Sequence, residues 1–144
     1  MNNKLKELLK EKNIIHLNYV DNWGKAVEIA SEPLIKDGSI EKSYVDKMKE
    51  SVIKNGTYMV LTDYFALMHA RPEDGVNKMS MSLLTLNKPV NMEGKEVKIF
   101  LVLAAKDNSS HIEALSNITE LLMDEDKFDI FLNGEKEEIL ELIN

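Results

Sequence analysis

The chain has 144 residues, of which 44% are hydrophobic and 30% charged, so it can bury a core of its own and is not a disordered tail. Its 18 Lys and Arg against 25 Asp and Glu give a formal charge of −7, which argues against nucleic acid or anionic lipid as a partner, since both are bound by neutralising phosphate. Cysteine is absent, which removes disulfides, thiolate zinc sites and a cysteine nucleophile.

Lysine alternates with leucine at the start (Lys4, Leu5, Lys6, Leu8, Leu9, Lys10) without the apolar core of a signal peptide. The longest apolar run, Ile99 to Ala105, is too short to span a bilayer. A cytoplasmic location without membrane insertion is expected. Leu5 to Lys12 reads as a short amphipathic helix and Ile14 to Val20 as a strand, with Ile15, Leu17 and Tyr19 on one face. Asp21 is placed to cap a helix from about Asn22 to Lys36, closed by Gly38. Ser39 to Asn55 reads as a second long helix, with Ile40, Tyr44, Met48 and Val52 spaced four apart and Gly56 behind it. Tyr58 to Leu61 and Tyr64 to His69 are short strand candidates, and Met79 to Leu86 is expected to stop before Pro89. Val97 to Ala105 has the continuous apolar character of a central strand covered on both faces. Ser110 and Glu113 have the spacing of a capping box, opening a helix to about Met123, and two short helices follow, the last over about Glu135 to Ile143. With no repeat and no linker, this alternation predicts one α/β domain over residues 1–144, a sheet sandwiched between helix layers.

Several chemistries fall away on spacing alone. The nearest pair of glycines, Gly24 and Gly38, is too far apart for a phosphate-cradling loop, and Ser109-Ser110 lacks the glycines of a nucleophile elbow. A metal hydrolase would need His69, His111 and a carboxylate such as Asp63 or Asp107 to converge, and nothing in the spacing demands it. The segment around His69 is more informative, because Arg71 is the only arginine among the 18 cationic residues. An arginine in a lysine-using chain points to a position that needs a planar, bidentate donor. Pro72 holds Arg71 extended, so His69 and Arg71 should share a face, with a guanidinium in reach of an anion carried on the imidazole. His111 follows the buried strand in the first turn of the next helix, at the sheet edge and helix terminus where anions bind. His16 is out of phase with the apolar face of its strand and receives no role.

These residues carry a resemblance. His69-Ala70-Arg71-Pro72-Glu73-Asp74-Gly75-Val76 resembles the active-site segment of phosphotransferase-system enzyme IIA proteins of the mannitol/fructose superfamily, most closely the ascorbate-type branch. Ser110-His111-Ile112-Glu113-Ala114-Leu115 is similar to the second-histidine segment of that superfamily, and Tyr44-Val45-Asp46-Lys47-Met48 to its helix before the active-site strand. The resemblance covers nearly the whole chain. Two positions depart from it: Met68 stands where the family usually has proline, and Ser51 aligns where many mannitol-type members carry arginine.

The resemblance implies a mixed β-sheet flanked by helices on both faces and a phosphotransferase that carries a phosphoryl group on His69. Arg71 and His111 would stabilise its charge, with no metal and no cofactor. The donor it implies is the histidine-containing phosphocarrier protein, and the acceptor is a cysteine of a IIB component serving sugar uptake, ascorbate-like in the nearest branch. A regulatory module read by a binding partner is the alternative, and a homodimer is left open. A surface covered by two partners in turn should have an apolar centre, for which Val76, Met68 and Met79 are candidates, and an acidic rim of Glu73, Asp74 and Asp107.

Overall fold

The computed structural model describes residues 3–143, so residues 1–2 and 144 of the expected domain lie outside the described residues. In chain order the elements are α1 (Asn3–Leu8), a 3-10 turn (Glu11–Asn13), β1 (Ile14–Leu17), α2 (Trp23–Lys36), α3 (Lys42–Asn55), β2 (Val60–Thr62), β3 (Tyr64–Met68), a second 3-10 turn (Pro72–Asp74), β4 (Ser80–Met92), β5 (Lys95–Ala104), α4 (Asn108–Leu122), α5 (Glu125–Asn133) and α6 (Lys136–Ile143). The strands form one mixed sheet in the order β1-β4-β5-β3-β2. β1 runs parallel to β4 and β3 parallel to β5, whereas β4 with β5 and β2 with β3 are antiparallel.

Alternation along the strands assigns each side chain to one of two cores. Ala66 and Met68 of β3, with Phe100, Val102 and Ala104 of β5, face a layer made of α2 (Ala26, Val27, Ala30, Leu34) and α3 (Tyr44, Met48, Val52). Phe65 and Leu67, with Ile99, Leu101 and Leu103, face α1, α4, α5 and α6 through Leu5, Ile118, Phe131 and Ile139. The sheet is therefore covered on both faces, and the apolar run ending at Ala105 is its middle strand.

Several local expectations shift. α2 is capped by Asn22, whose side chain accepts the Lys25 N–H, not by Asp21. α4 is capped by Asp107, whose carboxylate accepts the Ser110 N–H, so Ser110 is the third residue inside the helix rather than its cap. Asp21 lies one residue before the true cap and Ser110 three residues after it, each in a polar stretch that offers more than one capping side chain. Ile40 precedes α3 and pairs in an isolated bridge with Val76. β4 does not stop before Pro89. It continues to Met92 through a register shift between Thr85 and Val90, and Lys88 N–H there bonds the Asn18 carbonyl. β1 ends its pairing at Leu86, so Pro89 falls beyond that neighbour, in an irregular stretch where no ladder donor is required. Glu93 and Gly94, both with positive φ, then close the tight β4–β5 hairpin.

Because β3 and β5 are parallel, both deliver their C-terminal ends to one edge of the sheet. Residues 69–79 leave the end of β3 and enter β4 on the far side of β5, so this connection arches over the C-terminal end of β5. Its turn rests on the first residues of α3: Glu41 N–H donates to the Gly75 carbonyl and Ser43 Oγ to the Asp74 carbonyl. Gly75 has φ +138°, and a Cβ there would stand 2.8 Å from Ser43 Oγ and 3.1 Å from Tyr44 N. Replacing Gly75 by Ala should therefore cost about 1–3 kcal/mol through backbone strain and this close approach. Urea unfolding followed by circular dichroism would measure it.

Candidate active site

The arch begins at His69. Nδ1 of His69 lies 3.0 Å from the Leu67 carbonyl oxygen. A carbonyl can only accept, so Nδ1 carries the proton and Nε2 keeps a free lone pair. Leu67 is held in turn on its other side, since its N–H donates to the Met59 carbonyl at 2.8 Å. The ring centroid of His111, in the first turn of α4, is 5.8 Å from that of His69 with the planes tilted by 57°. The two histidines, distant in sequence, thus meet over the C-terminal ends of β3 and β5. Partial burial and the neighbouring His69 hold the His111 pKa below the usual imidazole value, so it stays neutral at pH 7.

Arg71 follows in extended conformation, exposed, and lines with His69 a cavity of about 440 Å³ whose other walls include Lys47, Ser51, Lys54 and Tyr58. His69 and Arg71 thus both border this one cavity. The Arg71 backbone is clamped by Asp74: its N–H donates to Asp74 Oδ2 at 3.1 Å and its carbonyl accepts the Asp74 N–H at 2.9 Å. Asp74 therefore holds the turn, in addition to any place in an acidic rim. Met68 is fully buried against α2 and α3 and cannot belong to an exposed apolar centre, because it is still part of β3 and points into the core. The exposed apolar side chains beside the site are instead Tyr58 and Ile112, with Val76 and Met79 half-buried.

Between the two residues of the His69-x-Arg71 pair, the Ala70 N–H donates to the hydroxyl of Tyr44 at 2.9 Å. That hydroxyl donates to the Leu103 carbonyl at 2.6 Å. Tyr44 is wholly buried, and burial pushes its phenol up to about 12. Sequence periodicity placed Tyr44 correctly on the inner face of α3, but its polar end was missed. The signal was there in principle, since a tyrosine in an apolar helix stripe needs a partner for its O–H. His16 makes a separate contact, Nδ1 to Thr85 Oγ1 at 2.7 Å, away from this cluster. No group of three His, Asp or Glu side chains among the described residues is arranged to hold a metal ion.

The family model described as "Phosphoenolpyruvate-dependent sugar phosphotransferase system, EIIA 2" matches residues 7–144. The chain belongs to this EIIA family. It is 34% identical over 147 residues to the ascorbate-specific EIIA component of Salmonella typhimurium, covering 98% of this chain and 96% of that one. The solution structure of the mannitol-specific cryptic enzyme IIA of Escherichia coli superposes with a TM-score of 0.88 at 30% identity, over 96% of this chain and 97% of the other. A complex of the mannitol enzyme IIA with phosphorylated enzyme IIB, also from Escherichia coli, matches with a TM-score of 0.77 at 25% identity, covering 94% and 98%. EIIA components of this system are phosphoryl carriers, and the mixed α/β sheet described above is theirs.

Two expectations follow from the EIIA site. Tyr44→Phe keeps the ring but strands the Ala70 N–H and the Leu103 carbonyl, and should cost about 1–3 kcal/mol in denaturant unfolding. Hydrogen exchange at the Ala70 amide should accelerate in the same variant. The second concerns pH. The folded state holds His111 neutral while the unfolded chain titrates near 6.5, so the unfolded chain takes up the proton first. Stability should therefore be level above about pH 7 and fall as pH drops below about 6.5. Denaturation midpoints across that window should flatten in His111→Gln.

Proposed function

We propose that the chain is a single EIIA domain over residues 1–144, acting in the cytoplasm, that accepts a phosphoryl group on Nε2 of His69 and passes it on. The observation that carries this reading is the bond from His69 Nδ1–H to the Leu67 carbonyl, which leaves Nε2 as the nucleophile. The donor is the phosphohistidine of the histidine-containing phosphocarrier protein. Nε2 attacks its phosphorus, the carrier's P–N bond breaks with its electron pair returning to the carrier's ring, and a new P–N bond forms on His69. The His69 ring now carries both a phosphoryl group and the Nδ1 proton, and is positively charged. The Leu67 carbonyl stabilises that charge through the same hydrogen bond and keeps the ring a good leaving group.

The transition state is loose, with charge on the three equatorial oxygens, so positioning and electrostatics do most of the work. Arg71 offers a planar fork on one side of the imidazole. Neutral His111 offers one N–H donor without competing for the phosphoryl group. Transfer is completed when a cysteine sulfur of a IIB component attacks the phosphorus and the bond to Nε2 breaks. The solved complex of a related mannitol enzyme IIA with phosphorylated IIB supports a IIB partner for this chain. Relatives specific for ascorbate and for mannitol support sugar uptake as the process served, in an ascorbate-like system on the motif resemblance.

Incubation with phosphoenolpyruvate, enzyme I and the phosphocarrier should add one acid-labile phosphoryl group, read by intact mass. His69→Gln should accept none, and normal phosphorylation of that variant overturns the proposal. A charge-assisted hydrogen bond to a phosphoryl oxygen is worth about 1.5–3 kcal/mol, so Arg71→Ala and His111→Ala should each slow transfer by about 10- to 100-fold. Arg71→Lys should recover only part of the rate, because an ammonium lacks the planar fork.

A further inference from the structure

Tyr58 touches the site from the other direction, and neither the phosphoryl chemistry nor the core accounts for it. Its ring stands at 90° to the His69 imidazole with centroids 6.0 Å apart. It is 53% exposed, so it is not there to fill the interior. Yet both of its ends are tied. The neighbouring residue, Met59, is fully buried and its carbonyl accepts the N–H of Leu67, the residue whose carbonyl holds His69 Nδ1. At the far end the Tyr58 hydroxyl lies 2.9 Å from Ser51 Oγ on α3. Asn55, one turn further along α3, donates to that Ser51 oxygen at 3.3 Å. The aromatic ring is thereby suspended between the edge of the sheet and the last turns of α3.

We propose that Tyr58 is a positioning residue for His69, held in place by Ser51, and that it keeps the imidazole in the orientation in which Nδ1 meets the Leu67 carbonyl and Nε2 faces outward. A half-buried imidazole with a single hydrogen bond can turn about its Cα–Cβ and Cβ–Cγ bonds and exchange which nitrogen is presented. His111 contacts the ring as well, from the first turn of its helix. Tyr58 is the ring fixed at both ends, and its perpendicular contact is of the size that decides between rotamers. The inference rests on His69 being the phosphoryl acceptor, but it makes a claim about the unphosphorylated protein that stands by itself.

The test uses the whole chain carrying Tyr58→Leu, Tyr58→Phe or Ser51→Ala, with two readouts. Long-range ¹⁵N–¹H spectra report the tautomer of His69 in the free protein, with no phosphoryl donor present. Steady-state phosphorylation by the phosphorylated carrier protein yields kcat and KM separately. Tyr58→Leu should convert a predominantly Nδ1-protonated His69 into a tautomer mixture and lower kcat about tenfold, with KM for the carrier within twofold. Tyr58→Phe and Ser51→Ala keep the ring but cut the tie to α3, and should fall between Tyr58→Leu and wild type in both readouts. They decide the matter if Tyr58→Leu fails to fold. An unchanged tautomer with a raised KM would make Tyr58 a docking residue and overturn the proposal, as would wild-type behaviour in all variants. Failure of the wild-type chain to accept phosphate would overturn the reading of His69 as acceptor while leaving the tautomer result to judge Tyr58.

Discussion

One buried hydroxyl holds the site together. The Tyr44 phenol receives the Ala70 N–H and donates to the Leu103 carbonyl, so a single oxygen joins α3, the arch that carries His69 and Arg71, and the end of the central strand. Every other feature of the site is referenced to one of those three parts. His69 takes its orientation from the last peptides of β3, Arg71 from the turn that leans on α3, and His111 from the helix that β5 launches. The arrangement is demanding because the hydroxyl is wholly buried: a small displacement of the arch would leave polar groups without partners in a medium that does not forgive it.

The sheet explains why the two histidines meet at all. A parallel pair of strands presents both C-terminal ends at the same edge, and whatever follows each strand must emerge there. After β3 comes the arch; after β5 comes α4, whose first turn presents His111. Inserting β5 between β3 and β4 forces the arch to cross exactly that edge. Residues 42 positions apart are therefore brought to a ring separation of 5.8 Å by topology alone, without any motif that links them in sequence.

The parts of this that the sequence makes legible are those governed by periodicity. Continuous apolar character marks Val97 to Ala105 as the middle of the sheet, and four-residue spacing finds the inner face of α3. Strand-then-helix logic even places His111 at a binding edge. The caps were misplaced because Asp21 and Asn22, or Asp107 and Ser110, are chemically interchangeable candidates, and only the backbone turn decides which one accepts. Pro89 misled because its cost depends on which neighbour the strand has at that point, and β1 has already ended. Met68 was offered to the surface although it still belongs to β3. Ser51 was visible as a departure from a family pattern, but not its bond to Tyr58, which depends on how a helix and a sheet edge converge.

The arch is stitched at both ends and in the middle: by the bridge of Ile40 with Val76, by Gly75 against α3, and by Tyr44 at Ala70. A segment so restrained has little conformational freedom left to surrender when another surface covers it. Complex formation then needs no ordering step, so a small contact area is enough for a brief encounter and nothing in the arch has to relax before separation. Speed of exchange, rather than strength of grip, is what such a rigid arch favours.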